Sequence, residues 1–95
     1  MQHPIYDRLL PLAEPEKVHD FSRYFQNYPG GYGEGDVFIG VNVPNRRSVA
    51  KENALKWEEE VLASGLIHPC HEVRHTALFS LMRRFGAERE RRSYW

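Results

Sequence analysis

Gly30-Gly31-Tyr32-Gly33-Glu34-Gly35-Asp36-Val37-Phe38-Ile39-Gly40-Val41-Asn42-Val43-Pro44-Asn45-Arg46-Arg47 is the stretch on which the fold turns. It holds five of the chain's seven glycines, so its first half can take backbone angles closed to other residues. Val37, Ile39, Val41 and Val43 then alternate with a period of two, as in a β-strand. Pro44 suits the first turn of a helix. The rest of the chain offers no second convincing strand, and a lone strand leaves its amides and carbonyls unpaired. The segment is therefore expected to be an extended crossing between helices, packed through Phe38 and its valines.

Helical patterns flank it on both sides. Residues 4–13 can form a short helix that Pro11 ends or kinks. Pro15 then opens a second one, with Glu14, Glu16 and Asp20 near the positive end of its dipole. Val18, Phe21, Phe25 and Tyr28 make its apolar stripe, Tyr24 borders the stripe, and Pro29-Gly30 ends it. After the crossing, the pattern predicts a helix from Pro44 to about Asn53 and another over about Lys56–Ser64, with Gly65 as its stop. The clearest helix runs from Cys70 to Phe85, with Gly86 as terminator. Val73, Ala77, Leu78, Phe79, Leu81, Met82 and Phe85 cover more than half of its circumference, wider than a simple surface helix needs. Such a helix must be covered on two sides, as in a stacked helical-repeat array. Ala87–Trp95 is charged and then ends on Tyr94-Trp95, which reads as the start of a further helix.

Ninety-five residues, 41% hydrophobic and 13% aromatic, suffice for one small domain with a real core. Thirteen basic and thirteen acidic side chains cancel, which excludes any overall electrostatic pull on nucleic acid. The charge is unevenly placed: residues 1–43 carry three basic and six acidic side chains, and residues 44–95 carry ten and seven. The single Cys70 cannot form an internal disulfide. With no signal-peptide pattern and no run long enough for a membrane span, a cytoplasmic protein without membrane contacts is expected.

Three constellations could carry chemistry. The glycine loop matches neither the P-loop nor the dinucleotide fingerprint, since no Gly-Lys-Ser/Thr follows and Phe38 stands at the third glycine position. Glu34 and Asp36 would also repel a phosphate there, so a structural turn is expected. His71-Glu72-Val73-Arg74-His75 is a literal match to the His-Glu-x-x-His motif of zinc hydrolases. The metzincin continuation fails, because Leu78 and Leu81 stand where Gly and His belong. The histidines fall on a face that reads as buried, and no metal or other cofactor is expected. Arg46-Arg47 place two cations at a helix start, against the dipole by ~0.3–1 kcal/mol each, behind Val43 as a poor N-cap. A phosphate bound there would reverse both penalties; solvation or pairing with nearby acids is the equal alternative. Arg74, inside the apolar arc, asks for an acid or a backbone carbonyl as partner.

Arg23-Tyr24-Phe25, Tyr32-Gly33-Glu34-Gly35-Asp36, Phe38-Ile39-Gly40-Val41 and Val43-Pro44 with Arg47 resemble the amino-terminal signature of DNA alkylation repair enzymes of the AlkD type. Ile67-His68-Pro69, His71-Glu72-Val73-Arg74 and Ala77-Leu78 resemble their next repeat. The resemblance spans about Lys17 to Phe85. It implies an all-α solenoid of HEAT-like helical repeats, here about four to five helices with one extended Gly-rich crossing. It implies a DNA glycosylase family that removes cationic alkylated purines, with double-stranded DNA as partner. Tyr24 matches an aromatic that lies against DNA, and the loop before Pro44 and the Arg47 helix start face its backbone. The family's His-Glu-Val-Arg opens a repeat helix without a metal.

The family's catalytic aspartate lies in a Trp-Asp motif, and no such motif occurs in these residues. No catalytic residue is therefore assigned. The expectation is an amino-terminal helical-repeat segment over residues 1–95, incomplete relative to the full family domain. It would contribute DNA-backbone surface (Tyr24, Arg46, Arg47) without activity of its own, and would self-associate through its last helix. The alternatives are a HEAT-like protein-interaction module and a His-Glu-x-x-His zinc hydrolase.

Overall fold

Two capping side chains set where the chain turns helical. His3 Nδ1 accepts from the amide of Ile5, and Asn42 Oδ1 accepts from the amide of Asn45 at 2.8 Å. A proline sits in the first turn after each, Pro4 and Pro44. A computed structural model describes residues 2–24, 30–31 and 35–92, apart from the side chains at 24 and 87–92. Among them the fold is all-α: α1 (Pro4–Leu9), two 3₁₀ turns (Leu10–Leu12 and Pro15–Lys17), α2 (Val18–Tyr24), α3 (Val43–Asn53), α4 (Glu59–Leu66) and α5 (His71–Arg92). Phe25, Tyr28, the Tyr32-Gly33-Glu34 part of the signature and Tyr94-Trp95 lie outside the described residues.

Four boundaries differ from expectation. Asn42, not Val43, caps α3, so that helix start carries no weak cap. The turn between α3 and α4 is longer, because the amides of Lys56 and Trp57 fold back onto Asn53 O at 2.9 and 3.0 Å. Gly65 lies inside α4, not at its end. A Cβ there would sit 2.8 Å from Ile5 Cδ1 and 2.9 Å from the Ala77 methyl, so this glycine permits close packing of α4 against α1 and α5. α5 continues through Gly86 to Arg92, since one glycine costs a helix only ~1 kcal/mol.

The core is one cluster drawn from every layer: Ile5 and Leu9 of α1, Val41 of the crossing, Val49 of α3, Leu62 of α4, and Cys70, Val73 and Ala77 at and along α5. α5 packs on α3, α4 and α1. Between its apolar rows runs a buried polar row, Glu72, Thr76 and Ser80. Thr76 and Ser80 donate to the carbonyls four residues earlier, at 2.7 and 2.8 Å, and so remain satisfied. Arg84 donates to the carbonyls of Ala54 and Trp57, tying the turn after α3 to α5.

The crossing segment contains no strand among the described residues, as expected, and solves its backbone pairing differently. Val37 makes an isolated parallel bridge with Cys70. Its amide donates to Pro69 O at 3.2 Å, and its carbonyl accepts from His71 N at 2.8 Å. The next three amides converge on one carboxylate. Gly40 N donates to Glu72 Oε2 at 2.7 Å, Val41 N to the same oxygen at 3.1 Å, and Ile39 N reaches both oxygens at 3.2 and 3.1 Å. A left-handed residue lets successive amides point to one side, and Gly40 has φ +86°. A Cβ at Gly40 would also lie 2.1 Å from Glu14 O, which is drawn close because Glu14 N donates to Gly40 O at 2.7 Å.

Glu72→Gln keeps the shape but turns a side-chain amide NH2 toward backbone amides, leaving buried donors unmet at ~1–3 kcal/mol each. The variant should lose about 2 kcal/mol or more in urea unfolding. A loss below ~0.5 kcal/mol, the range of ordinary surface changes, would contradict this role.

Candidate nucleic-acid interface

The start of α3 separates the two adjacent arginines. Arg46 points inward and is 1% exposed. Its Nε donates to Val41 O at 2.7 Å, one NH donates to His75 Nδ1 at 2.8 Å, and its guanidinium lies over the Phe21 ring at 5.7 Å. Expected beside Arg47 as a phosphate contact, Arg46 instead spends its guanidinium on internal partners, which hold the chain leading into α3. Arg47, one residue on, is exposed, with its guanidinium over the Phe79 ring at 5.2 Å. Tyr24 ends α2, and its side chain lies outside the described residues.

Beyond Arg47, α3 and α5 enclose a groove of about 500 Å³ lined by Pro44, Arg47, Ser48, Ala50, Lys51, Phe79, Met82 and Arg83. Three of these are cations and none is an acid. A second groove of about 540 Å³ shares Lys51 and Arg83 and adds Lys56. Its one carboxylate, Glu52, is engaged by Arg8 at 2.8 Å. Lys51 and Arg83 were not singled out from the sequence. Lys51 could have been, since it stands one helical turn after Arg47 on the same face.

The His-Glu-x-x-His stretch does not have the zinc-hydrolase arrangement. Glu72 is fully buried and its carboxylate is taken up by backbone amides, so it cannot act as a base toward water. His71 packs on Phe38 at 5.0 Å between ring centres, with Nδ1 3.6 Å from Asp36 Oδ2. His75 accepts from Arg46 and packs on Phe79 at 4.4 Å. No group of three His, Cys, Asp or Glu among the described residues is placed to hold a metal ion. Arg74 receives both kinds of partner it called for: Asp36 at 2.7 Å, and the carbonyls of His68 and Pro69 at 2.8 and 3.0 Å. Cys70 is buried, and burial pushes its thiol up to about 11, which makes it a poor nucleophile. His3 Nε2 lies 2.8 Å from Ser64 Oγ. The other nitrogen of His3 already accepts from Ile5. In the neutral ring the proton therefore sits toward Ser64, which prevents His3 from activating that hydroxyl.

The family model described as DNA alkylation repair enzyme matches residues 5–94. The chain belongs to the DNA alkylation repair enzyme family. No curated protein and no solved structure gives a significant match. Membership in a DNA repair family suggests DNA as the partner. No helix among the described residues is long and apolar enough to cross a membrane.

Burial lowers the pKa of both His71 and His75. Arg46 adds to both effects, with Asp36 and Glu72 opposing at His71, and with His71 and Arg47 contributing at His75. The folded state thus holds these imidazoles neutral at pH values where the unfolded chain already binds protons. Their contribution is complete above about pH 6.5 and is lost as pH falls through the lowered folded values. The melting temperature should be level above neutrality and drop on acidification below about pH 6.5, and His75→Gln should shallow that drop. A wild-type melting temperature unchanged down to about pH 5 would refute the coupling.

Proposed function

We propose that these residues supply a DNA-backbone binding surface of a DNA alkylation repair glycosylase, of the kind that removes cationic alkylated purines. Two facts support the reading: the family match over residues 5–94, and the cationic trough of Arg47, Lys51, Lys56 and Arg83 in a chain of zero net charge. Phosphates carry most of the affinity in such complexes. Exposed arginine and lysine side chains on a rigid pair of helices are suited to hold them. Following the AlkD-type resemblance, the helices would form part of a HEAT-like array, with Tyr24 placed toward DNA. Arg46 would act through the path of the backbone into α3. The chain contains no Trp followed by Asp, so cleavage of the glycosidic bond is not assigned to any of these residues.

A second reading has one observation in its favour. Leu78, Met82 and Phe85 lie 47%, 61% and 62% exposed along α5, a stripe suited to a protein partner or to a second copy of this chain. Association through that stripe would be insensitive to salt.

Fluorescence anisotropy with an intact labelled duplex separates the two. The chain should bind with affinity that falls steeply as salt rises, and Arg47→Ala should reduce the salt slope by about one unit without changing sequence preference. Unchanged binding by Arg47→Ala at low salt would defeat the phosphate role. Arg46→Ala should act differently, lowering the melting temperature because the Val41 carbonyl and His75 lose their donor.

A further inference from the structure

The groove between α3 and α5 has two chemistries where a phosphate surface needs one. Its lining combines three cations, Arg47, Lys51 and Arg83, with apolar Pro44, Phe79 and Met82. Backbone contact alone calls for the cations and leaves the apolar side chains unused. A docking groove for a protein helix would use the apolar side chains and would need an acidic partner to meet the three cations. An unpaired nucleotide uses both, since its phosphate is an anion and its base is a flat apolar face. We propose that this groove is a subsite for a single unpaired nucleotide of a DNA strand. It rests on the DNA-binding reading above and adds to it what the groove selects.

The geometry supports that occupant in three ways. At about 500 Å³ the groove lies within the ~300–1,000 Å³ range of small-ligand sites, room enough for one nucleotide. Arg47 and Lys51 are one helical turn apart, ~6 Å along the axis at ~1.5 Å per residue, comparable with the separation of neighbouring phosphates along a strand. Arg47 is held over Phe79 at 5.2 Å, and Phe79 is backed on its other contact by His75 at 4.4 Å. The guanidinium therefore starts from a supported position from which it can stack on a base. The adjoining groove, with Lys56 and with its single acid already paired to Arg8, continues the cationic path along α3 for the following phosphate.

The test compares an intact duplex with the same duplex carrying one central unpaired adenine, by anisotropy at fixed salt with the whole chain. The bulged duplex should bind about fivefold to a hundredfold more tightly, the range that one stacked base supplies. Met82→Glu, at a 61% exposed position that does not jeopardise folding, should remove most of the preference by setting a carboxylate in the groove. Phe79→Leu should reduce it. Ile67→Ala, 84% exposed and outside the groove, should leave it intact. Equal affinity for the two duplexes, or a preference that survives Met82→Glu, overturns the subsite while leaving duplex binding in place. Failure of the wild-type chain to bind either duplex removes the DNA-binding reading together with the subsite.

Discussion

A carboxylate at the start of the longest helix, held by three consecutive backbone amides, is the contact from which the remaining geometry follows. Glu72 is fully buried, and moving a charged carboxylate out of water costs several kcal/mol unless donors meet it. Ile39, Gly40 and Val41 provide them. The exchange serves both sides, since the crossing segment has no sheet neighbour and its amides would otherwise be unmet. Because the carboxylate belongs to α5, the segment is fixed against that helix at the point where α3 is about to begin. The Val41 carbonyl then receives Arg46, Asn42 caps α3, and Arg47 is left on the outside.

The helices were legible in the sequence because periodicity and proline placement report directly on them. Pro4, Pro15 and Pro44 each stand in the first turn of a helical element. The extended nature of residues 37–41 was legible for the same reason: one period-two run without a partner cannot be a sheet. What could not be read was the inside of the structure. Gly65 and Gly86 look like helix stops in sequence, yet one is a packing contact between helices distant along the chain, and the other is tolerated within α5. The His71–His75 stretch carries the letters of a metal site, but letters do not show that Glu72 turns into the protein toward Gly40. Nor does adjacency show that Arg46 and Arg47, about 100° apart around a helix of 3.6 residues per turn, face opposite environments.

The site follows from the same division. Net charge is zero, but the cations are not evenly spread over the surface: α3 and α5 gather Arg47, Lys51 and Arg83 beside apolar Pro44, Phe79 and Met82, while the acids at 58–60 lie at the start of α4. Overall composition hides such segregation, and only the pairing of two helices reveals it. Lys51 stands one helical turn after Arg47 on α3 itself, whereas the place of Arg83 beside them depends on how α5 lies against α3. α5 packs against α3, and Ala50 of α3 is buried, as are Thr76 and Ser80 of α5.

Amide hydrogen exchange at Ile39, Gly40 and Val41 tests this account most directly. Those amides belong to no helix or sheet, and an ordinary loop would exchange them by local opening at almost no free-energy cost. Held by Glu72, they should exchange as slowly as the amides of Val73 and Ala77 in the core of α5, through opening of the whole domain. Exchange at the rate of an exposed loop, with the α5 amides still protected, would contradict the claim that this carboxylate holds the crossing segment in place.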